Sequence, residues 1–293
     1  MRMDSMKVFI SIILMCGSLF GQLILEKIIQ PDPVLKGVRF SKIAVSKFGD
    51  IYLIDSKFHE IYNVNNDGLI LRKNGGFGWN EGQFDTPTDI CVSSGLELLV
   101  ADLNNHRITL YDRNLNYVTV FPKNGDDRII PFPLSVAVSE IGEMFVLENE
   151  NRDVLKFNIL NNQVTTFAGF EYGKYSLMEP VQIRISSSGN LYVLEKSGKV
   201  LIFDRFGTFL TEVKSPENGI AIGMTLINEN ILIFFDDKPG AILYSKQIDE
   251  WYEPAQVGGN SNKKWIAGAL NDSKIYLLTQ TGSILVCDIN ELK

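Results

Sequence analysis

The chain has 293 residues, 45% of them apolar and 22% charged, which is enough to bury a large core and too apolar for disorder. Lys and Arg number 28 against 35 Asp and Glu, and no basic run stands out, so nucleic acid is not an expected partner. Three Cys and two His cannot furnish a thiolate or imidazole cage, which sets zinc chemistry aside.

Arg2 and Lys7 flank the start of an apolar run, Val8 to Cys16, which is followed by Gly17, Ser18 and the small residue Gly21. This charge, apolar stretch and small-residue order is that of a secretory signal spanning 1–21, cut near Gly21. The alternative is an uncleaved anchor from Val8 to Leu25, diluted by Gly17, Gly21 and Gln22. Met15 stands where lipoprotein signals place a small residue, so no lipid anchor is expected at Cys16. Loss of the segment removes Arg2, Lys7 and Asp4 and leaves an acidic body from 22 to 293. Cys91 and Cys287 then remain, each inside an apolar run, and are expected as two free buried thiols.

After an isolated strand-like segment, Gln22 to Gln30, a pattern recurs: an apolar strand, a tight turn, and a second strand closing on a polar residue. The second strands read DIYLID, ELLVAD, EMFVLE, NLYVLE, ILIFFD and KIYLLT, ending at Asp55, Asp102, Glu148, Glu195, Asp236 and Thr279, 41 to 47 residues apart. Third strands such as HRITLY and KVLIFD follow, and usually a fourth. Short strands rich in Val, Ile, Tyr and Phe at this period predict an all-β, six-bladed propeller of four-stranded antiparallel blades. The blades fall at about 37–76, 82–124, 131–169, 178–214, 219–258 and 264–290. The innermost strands, SKIAVS, TDICVS, LSVAVS and VQIRIS, carry mainly small or β-branched residues that suit a crowded axis. The sixth copy stops without a fourth strand, so 22–30 is expected to join the last blade and close the ring.

The second copy, Gly82 to Asp112, contains Asn105, His106, Arg107 and Ile108 after Asp102, and this string resembles the motif of NHL-repeat propellers, here of an exported bacterial type. Copies one and three carry it in decayed form, Asp55 with His59 and Ile61, and Glu148 with Asn151, Arg152 and Val154. An acidic residue ending a strand can accept backbone N–H bonds from the following loop, which gives Asp102, Asn105 and Arg107 an architectural role. Phe84 with Pro87, and Met178 with Pro180, are expected to wedge the chain as it enters a blade.

The resemblance implies that partners bind on the face holding the loops between second and third strands and between blades. On that face the candidate ligand-binding residues are Trp79, Tyr172, Asp55, Asp102, Arg107, Glu148, Glu195 and Asp236, with Phe77, Phe170 and Tyr175 either exposed beside them or plugging seams between blades. No nucleophile with an aligned base is visible, so no catalytic residue, metal ligand or required cofactor is assigned. The expected function is an exported, monomeric, non-enzymatic module recognising a protein, peptide or glycan in the cell envelope, periplasmic or extracellular, with no transmembrane segment after cleavage. The alternative is a lactonase- or esterase-like hydrolase with Ca2+ at the channel mouth, held by such oxygens as Asp55, Asp102, Glu148 and Glu195. Relatives with amidating-lyase activity need a His-rich metal site, which two His argue against.

Overall fold

The computed structural model describes residues 23–32, 37–123, 129–158, 163–168, 175–252 and 264–289. The expected signal, 1–21, and the aromatic residues Phe170 and Tyr172 lie outside the described residues.

Every regular element among the described residues is a strand. The chain opens with β1 (Ile24–Ile29). Blade one holds β2 (Phe40–Val45), β3 (Ile51–Asp55), β4 (Glu60–Val64) and β5 (Ile70–Gly75). Blade two holds β6 (Pro87–Val92), β7 (Leu98–Asp102), β8 (Arg107–Tyr111) and β9 (Tyr117–Phe121). Blade three holds β10 (Pro133–Val138), β11 (Met144–Glu148), β12 (Val154–Asn158) and β13 (Gln163–Phe167). Blade four holds β14 (Pro180–Ile185), β15 (Leu191–Glu195), β16 (Lys199–Phe203) and β17 (Phe209–Lys214). Blade five holds β18 (Ala221–Ile227), β19 (Asn230–Phe235), β20 (Ala241–Ser245) and the short β21 (Glu250–Tyr252), and blade six β22 (Trp265–Asn271), β23 (Lys274–Thr279) and β24 (Ile284–Asp288).

The result is six four-stranded antiparallel sheets. In the sixth the order is β1-β24-β23-β22, so the N-terminal strand supplies the outermost strand and closes the ring, as expected. Closure pairs the edge of β24 and leaves no open ladder there.

The core is divided among the six seams between neighbouring blades. Leu53 packs with Ile43 and blade-six residues Tyr276 and Leu278, whereas its chain neighbours Tyr52 and Ile54 pack with blade-two residues Ile90, Leu98 and Val100. Successive side chains on a strand point to opposite faces, and here both faces meet a neighbouring blade. This is why β3, β7, β11 and β15 are buried along their whole length and read as continuous apolar runs. Outer strands β5 and β17 are largely exposed.

Phe84, Ile130 and Leu177 are fully buried, each three residues before the proline that starts an inner strand. Phe84 is the expected wedge. In blade four the wedge is Leu177; Met178 is 53% exposed, because the one-residue offset turns its side chain outward. Cys91 and Cys287 are free thiols, as expected, in blades that are not neighbours; Cys287 is buried and Cys91 half-buried. Burial pushes both thiols up to about 12, which keeps them unreactive.

Candidate functional site

The inner strands all enter from one face, here called the lip, which carries the turns after β3, β7, β11, β15, β19 and β23 and the connections between blades. One backbone bond recurs there in all six blades: Ser56 N donates to Arg39 O, Leu103 N to Thr86 O, Asn149 N to Phe132 O, Lys196 N to Glu179 O, Asp236 N to Ile220 O and Gln280 N to Lys264 O. The strand register puts Asp55, Asp102, Glu148, Glu195, Phe235 and Thr279 at equivalent positions. Asp236 therefore stands one residue outside the repeat, and since alternate residues face opposite ways it is exposed, with Lys264 Nζ at 2.6 Å.

The other acidic candidates are buried and bind the lip's own amides. Asp55 Oδ1 accepts from Arg39 N at 3.1 Å and Lys57 N at 2.8 Å, and its Oδ2 has no partner among the described residues. Glu148 accepts from the N–H groups of Glu150, Asn151 and Asp153 at 2.8 to 2.9 Å. Glu195 accepts from Met178 N at 2.6 Å and pairs with Lys199 at 3.1 Å. These three carboxylates and Asp102 belong to four different blades, and among the described residues no three His, Cys, Asp or Glu side chains come together to hold a metal ion.

Asp102 does the most. Its Oδ1 accepts from Asp85 N at 2.8 Å, and its Oδ2 from Asn105 Nδ2 at 2.7 Å and Arg107 Nε at 3.1 Å. Burial outweighs these donors and pushes its carboxyl up to about 6. The same Asn105 Nδ2 reaches Gly78 O at 2.9 Å. The Arg107 guanidinium donates to three carbonyls, Trp79 at 2.9 Å, Asn80 at 3.2 Å and Gln83 at 2.7 Å. The motif residues thus clamp the connection 77–83 between blades one and two, whose ends are further tied by Gly78 N to Phe84 O and Phe84 N to Gly76 O.

On this clamped loop Phe77 is 64% and Trp79 73% exposed. Of the two readings open for Phe77, exposure prevails; its ring meets that of His59 edge to face, centroids 5.3 Å apart. Tyr175 instead is half-buried and stacks at 4.0 Å on Phe209, which packs against the cluster between blades three and four. His59 and His106 occupy one slot in successive blades, both with left-handed backbones, φ 57 and 55 degrees. Their Nδ1 atoms accept from Thr86 N at 2.9 Å and Phe132 N at 3.3 Å, tying each lip to the lead-in of the next blade.

The axis holds groups that the sequence reading passed over. Every inner strand has a register shift near its start, which presents Lys42, Asp89, Ser135, Gln182, Gly223 and Ala267 at one level. Arg184 grips Asp89 with two donors, at 2.8 and 3.2 Å, and Ser135 Oγ and Gln182 Nε2 also donate to that carboxylate. Gln182 Oε1 accepts from Met224 N at 2.7 Å, and Lys42 Nζ reaches Ile222 O in blade five at 3.5 Å. Although burial opposes its charge, Asp89 is held below the usual carboxylate range by Arg184; burial pulls the Lys42 ammonium down. The signal was present as Lys42, Asp89, Gln182 and Arg184 interrupting otherwise apolar inner strands.

Comparison with known proteins agrees with this architecture. The NHL repeat family matches residues 84–110, which carry the Asp102, Asn105 and Arg107 clamp. Over 141 residues the chain is 32% identical to Protein brain tumor of Drosophila melanogaster and 33% identical to B-box type zinc finger protein ncl-1 of Caenorhabditis elegans. Those stretches cover 47% of this chain but only 13% and 16% of the two relatives. Among solved structures, virginiamycin B lyase from Staphylococcus aureus superposes with a TM-score of 0.61 at 15% identity, over 88% of this chain and 82% of that one. A catalytically inactive form of that lyase with quinupristin gives 0.62 at 14% identity, over 86% and 81%. At such identity the likeness is one of fold. With six four-stranded blades closed into a ring and the matched motif seated in the second of them, this chain is a six-bladed β-propeller that carries an NHL repeat at residues 84–110.

Proposed function

We propose that the protein is a binding module whose lip face, centred on the connection 77–83, captures a protein or peptide partner. The observation that carries this reading is an exposed aromatic pair, Phe77 and Trp79, on a loop whose carbonyls are fastened by Arg107 and Asn105. Contiguous exposed apolar surface rimmed by polar groups marks interaction sites, and aromatic side chains are the commonest anchors there. A loop already held in one shape loses little entropy on binding, so contact area there converts efficiently into affinity. The buried acids Asp55, Asp102, Glu148 and Glu195 position the lip, and the aromatic side chains make the contact. The segment Val8 to Cys16, following Arg2 and Lys7, supports export of the module.

The test is affinity capture from envelope extract with wild type, Trp79→Ala and Arg107→Ala side by side. Trp79→Ala is expected to lose the captured partner with thermal stability unchanged. Arg107→Ala is expected to lose it together with about 3 kcal/mol of stability, since it leaves Asp102 buried and unpaired. A partner retained by both variants would overturn the reading.

A further inference from the structure

The recurrent lip bond marks one equivalent position in each lead-in: Arg39, Thr86, Phe132, Glu179, Ile220 and Lys264. Of these six, only Thr86 and Phe132 have left-handed backbones, φ 66 and 46 degrees. A β-branched or bulky residue is strained there and persists only where its surroundings hold it. The same two positions are the ones held by a histidine: Thr86 N donates to His59 Nδ1 at 2.9 Å and Phe132 N to His106 Nδ1 at 3.3 Å. An imidazole accepts at Nδ1 only while neutral, with its proton on Nε2; the imidazolium carries N–H at both nitrogens and would turn a donor toward a donor.

His59 also meets the Phe77 ring, so one side chain braces both ends of the segment 77–86 on which Trp79 lies. The charged groups on the elements around it are engaged elsewhere. On its own hairpin Lys57 reaches Gly37 O, and Glu60 accepts from Tyr62 and Lys73. On the connection Glu81 bears on the Tyr117 hydroxyl, and Asp85 accepts from Thr86 Oγ1 and Asn104 Nδ2. Across the seam Asp102 holds Asp85 N. We infer that His59 is an acid-sensitive latch that sets the shape of the capture loop: neutral, it pins strained Thr86 and supports Phe77; protonated, it frees Thr86 to relax and moves Phe77 and Trp79. That this changes partner capture rests on the lip reading above; the latch itself does not.

The experiment is amide hydrogen exchange on the full chain at about pH 7.5 and about pH 5, an interval over which an ordinary imidazole changes charge. Corrected for intrinsic exchange, protection of the Thr86 amide is expected to fall about tenfold on acidification, as for the loss of one hydrogen bond. Lys196, which makes the recurrent lip bond to Glu179 in blade four, should stay protected. The Trp79 indole N–H resonance should shift over the same interval. His59→Asn sets a non-titrating carbonyl oxygen at the Nδ1 position and suits a left-handed backbone, so it should keep Thr86 protected and Trp79 still at both pH values. The Asp102 carboxyl, pushed up to about 6 by burial, titrates in the same interval, and the wild-type response should therefore survive in Asp102→Asn. Undiminished Thr86 protection at about pH 5, a response that persists in His59→Asn or vanishes in Asp102→Asn, or a Trp79 resonance indifferent to acid would each overturn the inference. None of these readouts needs a partner, so the latch stands or falls apart from the capture assay on Trp79→Ala.

Discussion

At the lip the carboxylate of Asp102 has two opposing influences on it, desolvation and three donors, and desolvation prevails, with a pKa of about 6 against about 4 for an unfolded Asp. Between those values the folded chain holds the proton more tightly than the unfolded chain does. On this group's account stability is therefore greatest below about pH 4 and falls as pH rises through 6. Asp102→Asn cannot titrate, so the unfolding free energy of wild type minus that of the variant should decline by about 2 to 3 kcal/mol between pH 4 and pH 7. Urea unfolding at stepped pH measures it, and a flat difference would show that the carboxylate is unperturbed. The role of Asp102, Asn105 and Arg107 was legible because strand, turn and motif lie within six residues of chain. Offsets of one residue were not: Asp236 continues an acidic series by composition, yet the repeat in blade five is shorter and Phe235 takes the position. Nor was the axial network legible, since Asp89 and Arg184 are 95 residues apart and Lys42 meets Ile222 across 180. A periodic reading aligns copies with one another but does not show which side chains converge at their common axis.

Among the elements, the closing strand has the most specific seat. Beyond its pairing with β24, the turn after β4 comes up against its C-terminal end, where Gly68, with φ +83 degrees, lies so close to Gln30 that an added Cβ would sit 1.8 Å from the Gln30 carbonyl oxygen. Gly142 has nearly the same backbone, φ +84 degrees, with nothing within 4 Å of the corresponding point. Both replacements by Ala share the cost of a left-handed residue, about 1 kcal/mol, and only Gly68→Ala adds a collision with backbone. Gly68→Ala is expected to be the more destabilising by at least about 1 kcal/mol in chemical denaturation. Equal losses would mean that β1 yields to the turn and is only loosely seated. Sequence reading placed this strand correctly from a count of strands in the last copy. Its contact with blade one was invisible, because the turn holding Gly68 looks like any other NDG turn.

For the whole molecule, stability rests on six seams of similar construction, and each blade contributes to two of them. An open solenoid can fray from its ends, whereas a ring couples its first and last repeats and makes loss of one seam cost the cooperativity of all. The seam between blades six and one includes Ile29 of β1, and the seam between five and six includes Leu23 just before it, so the same short segment anchors two adjacent seams. Deleting residues 23–30 removes both anchors and bares the ladder of β24, with Val286 at its centre. The expected outcome is a broadened thermal transition at lower temperature and concentration-dependent self-association, read by calorimetry and light scattering, since an uncovered strand edge pairs with another chain. Supplying the excised segment as a free peptide should restore a sharp transition and a monodisperse species, because antiparallel pairing with β24 needs no covalent link to the rest of the chain. A deletion variant that stays monodisperse and melts as sharply as wild type would show that the seams alone hold the ring, with the closing strand a passive cover.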